Sequence, residues 1–117
     1  MRRLLATTIL VALVSSALAQ LSNQKQTADS KLLNGMPATL GYAMARGLPE
    51  LCGTPDHSDD FAAALLEEMK SAGITSQVRA AELVGYARGL SELTIRFQGC
   101  DAAQDMLERM RKASGLH

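Results

Sequence analysis

The chain has two cysteines, Cys52 and Cys100, so a single intramolecular disulfide is open to it. If that bond forms, any fold must bring the middle of the chain to a point near its end. Closing a loop of about 49 residues in this way stabilises a small domain by ~4 kcal/mol in the chain-entropy view. That is comparable to the whole net stability such a domain is expected to have.

Whether the bond forms depends on the compartment. Residues 1–19 read as a secretory signal, with a basic start at Arg2 and Arg3 and an apolar run from Leu4 to Val14. Ala17-Leu18-Ala19, just before Gln20, is the small-x-small pattern read by signal peptidase. The apolar run is shorter than the roughly 20 residues needed to span a bilayer. No cysteine follows the cleavage position, which argues against a lipid anchor. The expectation is therefore export, to a bacterial periplasm by preference and otherwise outside the cell, where disulfides persist.

Cleavage after Ala19 leaves residues 20–117, one domain at most. Of the 12 basic residues, Arg2 and Arg3 leave with the signal, and the other ten face 12 acids. A chain this close to neutral has no electrostatic footprint for nucleic acid or anionic lipid. No segment after the signal is apolar enough to span a membrane.

The remaining sequence reads as all-α. Residues 20–35 are polar and suggest a flexible leader, and residues 36–117 a helical domain. A first helix is expected from Pro37 to Arg46, ended by Gly47 and Pro49. A second starts at Ser58 with Asp59 and Asp60 in its first turn; it carries Phe61, Leu65, Met69 and Ala72 on one side and stops at Gly73. A third runs from about Ser76 to Phe97, with Val78, Ala81, Gly85, Leu90, Leu93 and Phe97 as its apolar side. After Gly99, Asp101 caps a fourth, with Ala102, Ala103, Met106, Leu107 and Met110 facing inward. No stretch alternates with period two, so no sheet is expected.

The chain also echoes itself. Gly41-Tyr42-Ala43-Met44-Ala45-Arg46-Gly47-Leu48-Pro49-Glu50-Leu51 resembles Gly85-Tyr86-Ala87-Arg88-Gly89-Leu90-Ser91-Glu92-Leu93. Downstream, Asp60, Ala62, Leu66, Glu67, Met69, Lys70 and Ala72 recur at constant offset as Asp101, Ala103, Leu107, Glu108, Met110, Arg111 and Ala113. This suggests two helical hairpins, possible products of duplication, stacked face to face and closed by Cys52–Cys100. Gly in a helix costs about 1 kcal/mol against Ala. The strips Gly41/Ala45 and Ala81/Gly85/Gly89 are thus expected to serve close packing between the first and third helices.

No catalytic constellation emerges, and no cofactor is implied. Asp56-His57-Ser58-Asp59-Asp60 could attract a cation but lacks the spacing of a calcium loop. Cys52, His57 and Cys100 could supply three zinc ligands, but oxidation competes and no fourth ligand is evident. Arg46 with Glu50, and Arg88 with Glu92, are four apart and suit helical ion pairs. Alternatively Arg46 and Arg88, beside Tyr42 and Tyr86, form a surface that reads an acidic partner. With three of every hundred residues aromatic and no Trp, a stacking site for bases or sugars is not expected.

The expected function is non-enzymatic: a small exported interaction protein of accessory, inhibitor or immunity type, its partner another exported protein. One rival is a periplasmic acid-stress chaperone, to which the chain is similar in format alone: a short signal, about a hundred residues, all helix and one long-range disulfide. No motif is shared around Cys52 or Cys100. Another rival is a small-ligand or metal carrier using Asp56 to Asp60.

Overall fold

In the computed structural model, four helices follow one another from residue 37 onward: α1 (Pro37–Cys52), α2 (Asp59–Ser71), α3 (Gln77–Gln98) and α4 (Cys100–Ala113). The structure describes residues 27–116; the expected signal, residues 1–19, and His117 lie outside them. The chain forms two units, Met1–Lys31 and Leu32–His117. In the first, residues 27–31 are helical; in the second, residues 32–34 are helical and precede α1. There are no strands among the described residues. Of the expected flexible leader, residues 20–26 lie outside the described residues, 27–34 are helical, and Leu33 is buried. Leu32, Leu33 and Met36 supply the apolar side that the polar composition of residues 20–31 obscures; Met36 is buried and Leu32 packs against the same core.

α1 is the centre of the fold. Half of its 16 residues are buried, and it packs against all three other helices, while α2 and α3 scarcely meet. Its side chains feed two cores. Ala38, Met44, Ala45 and Leu48 join Phe61, Ile95, Ala103 and Leu107 in one. Ala43 joins Leu33, Met36, Met69, Leu83 and Ala87 in the other. A helix surrounded on three sides needs small residues so that its neighbours' backbones can come close. Gly41 shows how tight this is: a Cβ there would land on ring atoms of Phe61 from α2.

α1 also runs longer than expected. It passes through Gly47 and Pro49 and ends only at Cys52, capped by Gly53 at φ 68°. Pro removes one donor to the carbonyl four residues back, a local cost of the kind that normally ends a helix. Here burial in the turn before the site outweighs it: Ala45, Gly47 and Leu48 are all buried. Gly53 takes the left-handed turn instead, its N–H donating to the Pro49 carbonyl at 3.0 Å. The extension places Cys52 beside Cys100, the first residue of α4, with Cα atoms 5.9 Å apart and the disulfide formed.

The other end of α1 is held from a distance. Met36, at its N-cap, makes no side-chain capping bond. Instead the Glu68 carboxylate of α2 accepts from the N–H of Ala38 at 2.7 Å, the N–H of Thr39 at 2.8 Å and the Thr39 hydroxyl at 2.9 Å. Ala38 and Thr39 are fully buried, so these donors have no recourse to water. A carboxylate at this end also meets the positive pole of the helix.

Two helix starts differ from expectation. Ser58 caps α2 without a side-chain bond, and the Asp56 carboxylate accepts from the Ser58 N–H at 2.8 Å. α4 begins at Cys100, with Gly99 as its cap and Asp101 in its first turn. Ser76 caps α3, accepting from the Arg79 N–H at 3.3 Å.

The largest correction concerns α3. Its buried side is Leu83, Ala87, Ser91 and Ile95. Of the expected side only Leu90 packs inward, against the second core; Val78 is 72 %, Leu93 53 % and Phe97 85 % exposed. Gly85 and Gly89 have open space where a Cβ would sit, so the α3 strip does not pack against α1. α3 has apolar residues around most of its circumference, and periodicity could not choose between two sides. The internal echo likewise spans unlike environments: Leu66 is 67 % exposed, while its counterpart Leu107 is buried.

Two outcomes check this description. Glu68→Ala should destabilise the protein by about 2–3 kcal/mol, since it leaves buried amides unpaired, and Glu68→Gln should recover roughly half of that. Chemical denaturation measures both, and an unchanged midpoint in Glu68→Ala would refute the distant cap. Among the glycines, Gly41→Ala should destabilise through its collision with Phe61, whereas Gly85→Ala should stabilise dilute protein by up to ~1 kcal/mol. Effects of the same sign at both positions would contradict the packing.

Candidate functional site

Four residues stood out in the sequence as a surface for a partner, and the structure separates them. Tyr42 is half-buried on α1, and its hydroxyl accepts from Arg46 Nη1 at 3.2 Å. The Arg46 guanidinium carbon also lies 5.8 Å from the centre of the Tyr42 ring. Tyr42's side chain, first by this hydrogen bond and then by charge, pushes the Arg46 pKa up, so the side chain is a fixed cation. Arg46 is exposed, and the expected pair with Glu50 is absent from the ion pairs of the described residues. Glu50 instead accepts from Arg88 at 2.7 Å, across from α1 to α3, and Glu92 sits 3.8 Å from Arg88. Arg88 is thereby committed to two acids. Tyr86 packs against the second core.

Tyr42 and Arg46 therefore remain together at a surface, and the surface is concave. Tyr42 forms part of an open groove of about 350 Å³, walled by Ala62, Leu65 and Leu66 of α2 and by Ala80, Ala81 and Val84 of α3. It exists because α2 and α3 both lean on α1 but barely touch each other. Leu65, Ala80 and Val84 rest on the second core below. Leu66 stands 67 % exposed in the wall. Leu66 was not foreseen as an exposed residue, because its i, i+4 relation to Ala62 and Lys70 reads equally well as either side of α2.

A second cleft, about 300 Å³, lies between the end of α1, the loop after it and α4. It holds Thr54, His57, Gln104, Glu108 and Arg111 above a floor of Ala45, Leu48 and Leu107. Its charges are satisfied internally. Arg111 bonds Asp60 at 3.1 Å and Glu108 at 3.4 Å, and stacks over the Phe61 ring at 5.4 Å. The Thr54 hydroxyl is buried without a hydrogen-bond partner.

The acidic run of Asp56 to Asp60 is dispersed. Asp56 turns back to Ser58, and Asp60 reaches Arg111 on α4. Among the described residues no cluster of three or more His, Cys, Asp or Glu side chains is placed to hold a metal ion. Cys52 and Cys100 are bonded to each other and unavailable as thiolate ligands. The helices described include none long and apolar enough to cross a membrane.

No protein-family model matches the chain, and neither a curated protein nor a solved structure is significantly similar to it.

The Asp56 turn gives a pH signature. Ser58, by its hydroxyl and then by its N–H, holds the Asp56 carboxyl below its ordinary pKa. A depressed carboxyl contributes stability that is present above the unfolded-state pKa and is lost as pH falls through the folded value. Asp56→Asn should therefore lose less stability than wild type on acidification from neutrality to about pH 3. Denaturation midpoints at several pH values measure this, and parallel curves would refute the assignment.

Proposed function

We propose that this protein is a small exported interaction protein whose groove between α2 and α3 takes the apolar side of a partner's amphipathic helix. The observation that carries the reading is the open groove over Tyr42, with Leu66 exposed in its wall and Arg46 bonded to its floor residue. Two helices resting on a third, with a gap between them, present the slot into which a further helix packs in a bundle. The Arg46 cation beside the groove favours a partner carrying a carboxylate at the edge of its apolar stripe. A disulfide and a distant cap hold α1 at both ends, and a fixed floor lowers the ordering cost of binding. The disulfide is compatible with an exported location.

A photo-crosslinker placed at position 66, and separately at Gln104 on the opposite cleft, tests the reading in the exported extract. We expect position 66 to yield one stoichiometric adduct at neutral pH, joined to a helical segment with an acidic residue beside its apolar stripe. Position 104 should yield none. Leu66→Glu and Arg46→Glu should abolish capture while leaving the melting temperature within a few degrees of wild type. Adducts with many unrelated proteins, formed only at acid pH, would overturn the proposal in favour of a stress chaperone. Equal labelling from both positions would show that the groove is not the site.

A further inference from the structure

The groove leaves one apolar surface unexplained. The outer side of α3 presents Val78, Ala81, Gly85, Gly89, Leu93 and Phe97 to solvent over about 28 Å of helix. From Ala81 onward these residues fall four apart, along one ridge of the helix surface. Their order is graded: small residues occupy positions 81, 85 and 89, and large ones follow at 93 and 97. Phe97, at 85 % exposure, is the most exposed large apolar side chain of the chain's described part. Two glycines inside a solvent-facing helix oppose its formation, and among the described residues nothing beyond the helix itself approaches either of them.

We propose that this ridge pairs with the same ridge of a second copy, antiparallel, about a two-fold axis at Gly89. The register follows from size. With Gly89 opposite Gly89, Leu93 of each copy lies over Gly85 of the other, and Phe97 over Ala81. Small residues then sit where the helix axes cross most closely, and each large residue further out meets a small one of the other copy. The same register sets Glu82 of one copy level with Arg96 of the other. Arg96 is exposed near the end of α3. Glu82 bonds Arg79 at 3.3 Å at the surface, where exchange to a new partner costs little. An isologous contact produces each of these pairs twice. The ridge is self-complementary in both shape and charge, which selects a second copy over an unrelated partner. This inference does not depend on the groove, although Ala81 borders both surfaces.

Sedimentation velocity over a concentration series tests it on the exported chain, residues 20–117. We expect a reversible monomer–dimer equilibrium. Gly89→Leu should weaken it by roughly tenfold or more, since the closest contact is blocked. Because position 89 opens to solvent, that variant should fold with a melting temperature at or above wild type, measured in the same samples. Arg96→Glu should weaken the dimer severalfold, and Glu82→Arg with Arg96→Glu should restore it. Under mild oxidation Gly89→Cys should cross-link to itself, while Gly85→Cys should cross-link only when mixed with Leu93→Cys. Leu66→Glu, which alters the groove, should leave the dimer unchanged. A chain that stays monomeric at every concentration overturns the proposal. So does a Gly89→Leu variant that dimerises as well as wild type, or a dimer that forms without the Gly89→Cys cross-link.

Discussion

The structure depends on how α1 is held. Its N-terminus has no local cap, and its buried amides at Ala38 and Thr39 are satisfied by Glu68, about thirty residues later. Its C-terminus is covalently joined to the start of α4. One helix is thus fixed by α2 at one end and by α4 at the other, and the middle of α3 is tied to its last turn through Arg88 and Glu50. The two cores, the groove and the exposed side of α3 follow from this arrangement. A helix that must accept three neighbours spends its small residues on close approach, and the helices placed around it need not meet one another.

Parts of this could be read in the sequence. The all-helical class, the approximate extents of α2 and α3 and the disulfide pairing were legible because each has a local or arithmetic cause. Gly73 and Gly99 stop helices by backbone conformation alone, and two cysteines allow one pairing. What could not be read was non-local. Pro49 stays within α1 because the burial of Ala45, Gly47 and Leu48 outweighs one lost hydrogen bond, and burial is a property of neighbours. Nothing in the sequence sets Glu68 apart from the other acids of α2. The available clue was negative: Gly35 and Met36 offer no capping side chain ahead of Pro37, so a helix beginning there must find its acceptor elsewhere.

The candidate site divides in the same way. Tyr42 and Arg46 stand four apart and meet through local helix geometry, which the sequence contains. Arg88 and Glu92 stand four apart as well, yet the shorter contact of Arg88 is with Glu50 on another helix. The two Gly-Tyr segments therefore look alike in sequence and behave differently: one turns its arginine back to its own tyrosine, and the other uses it to hold α3 on α1. The divergence begins at Phe61, which fills the space over Gly41. At the corresponding place in the echo stands Ala102, too small to cover Gly85.

That difference bears on why α3 presents an apolar surface at all. Helices arranged around a central one expose most of their circumference, and α4 shows the ordinary outcome. Asp101, Gln104, Asp105, Glu108, Arg109 and Lys112 are all exposed, and its apolar residues turn inward. α3 meets the same geometry with Val78, Leu93 and Phe97 outward and with glycines between them that weaken the helix. Chance placement of a single exposed apolar residue is ordinary. A graded ridge of small and large residues at four-residue spacing, on a helix whose inner side is already complete, is a different matter. The inner side of α3 satisfies the fold of the single chain, so the composition of its outer side answers to something beyond that chain.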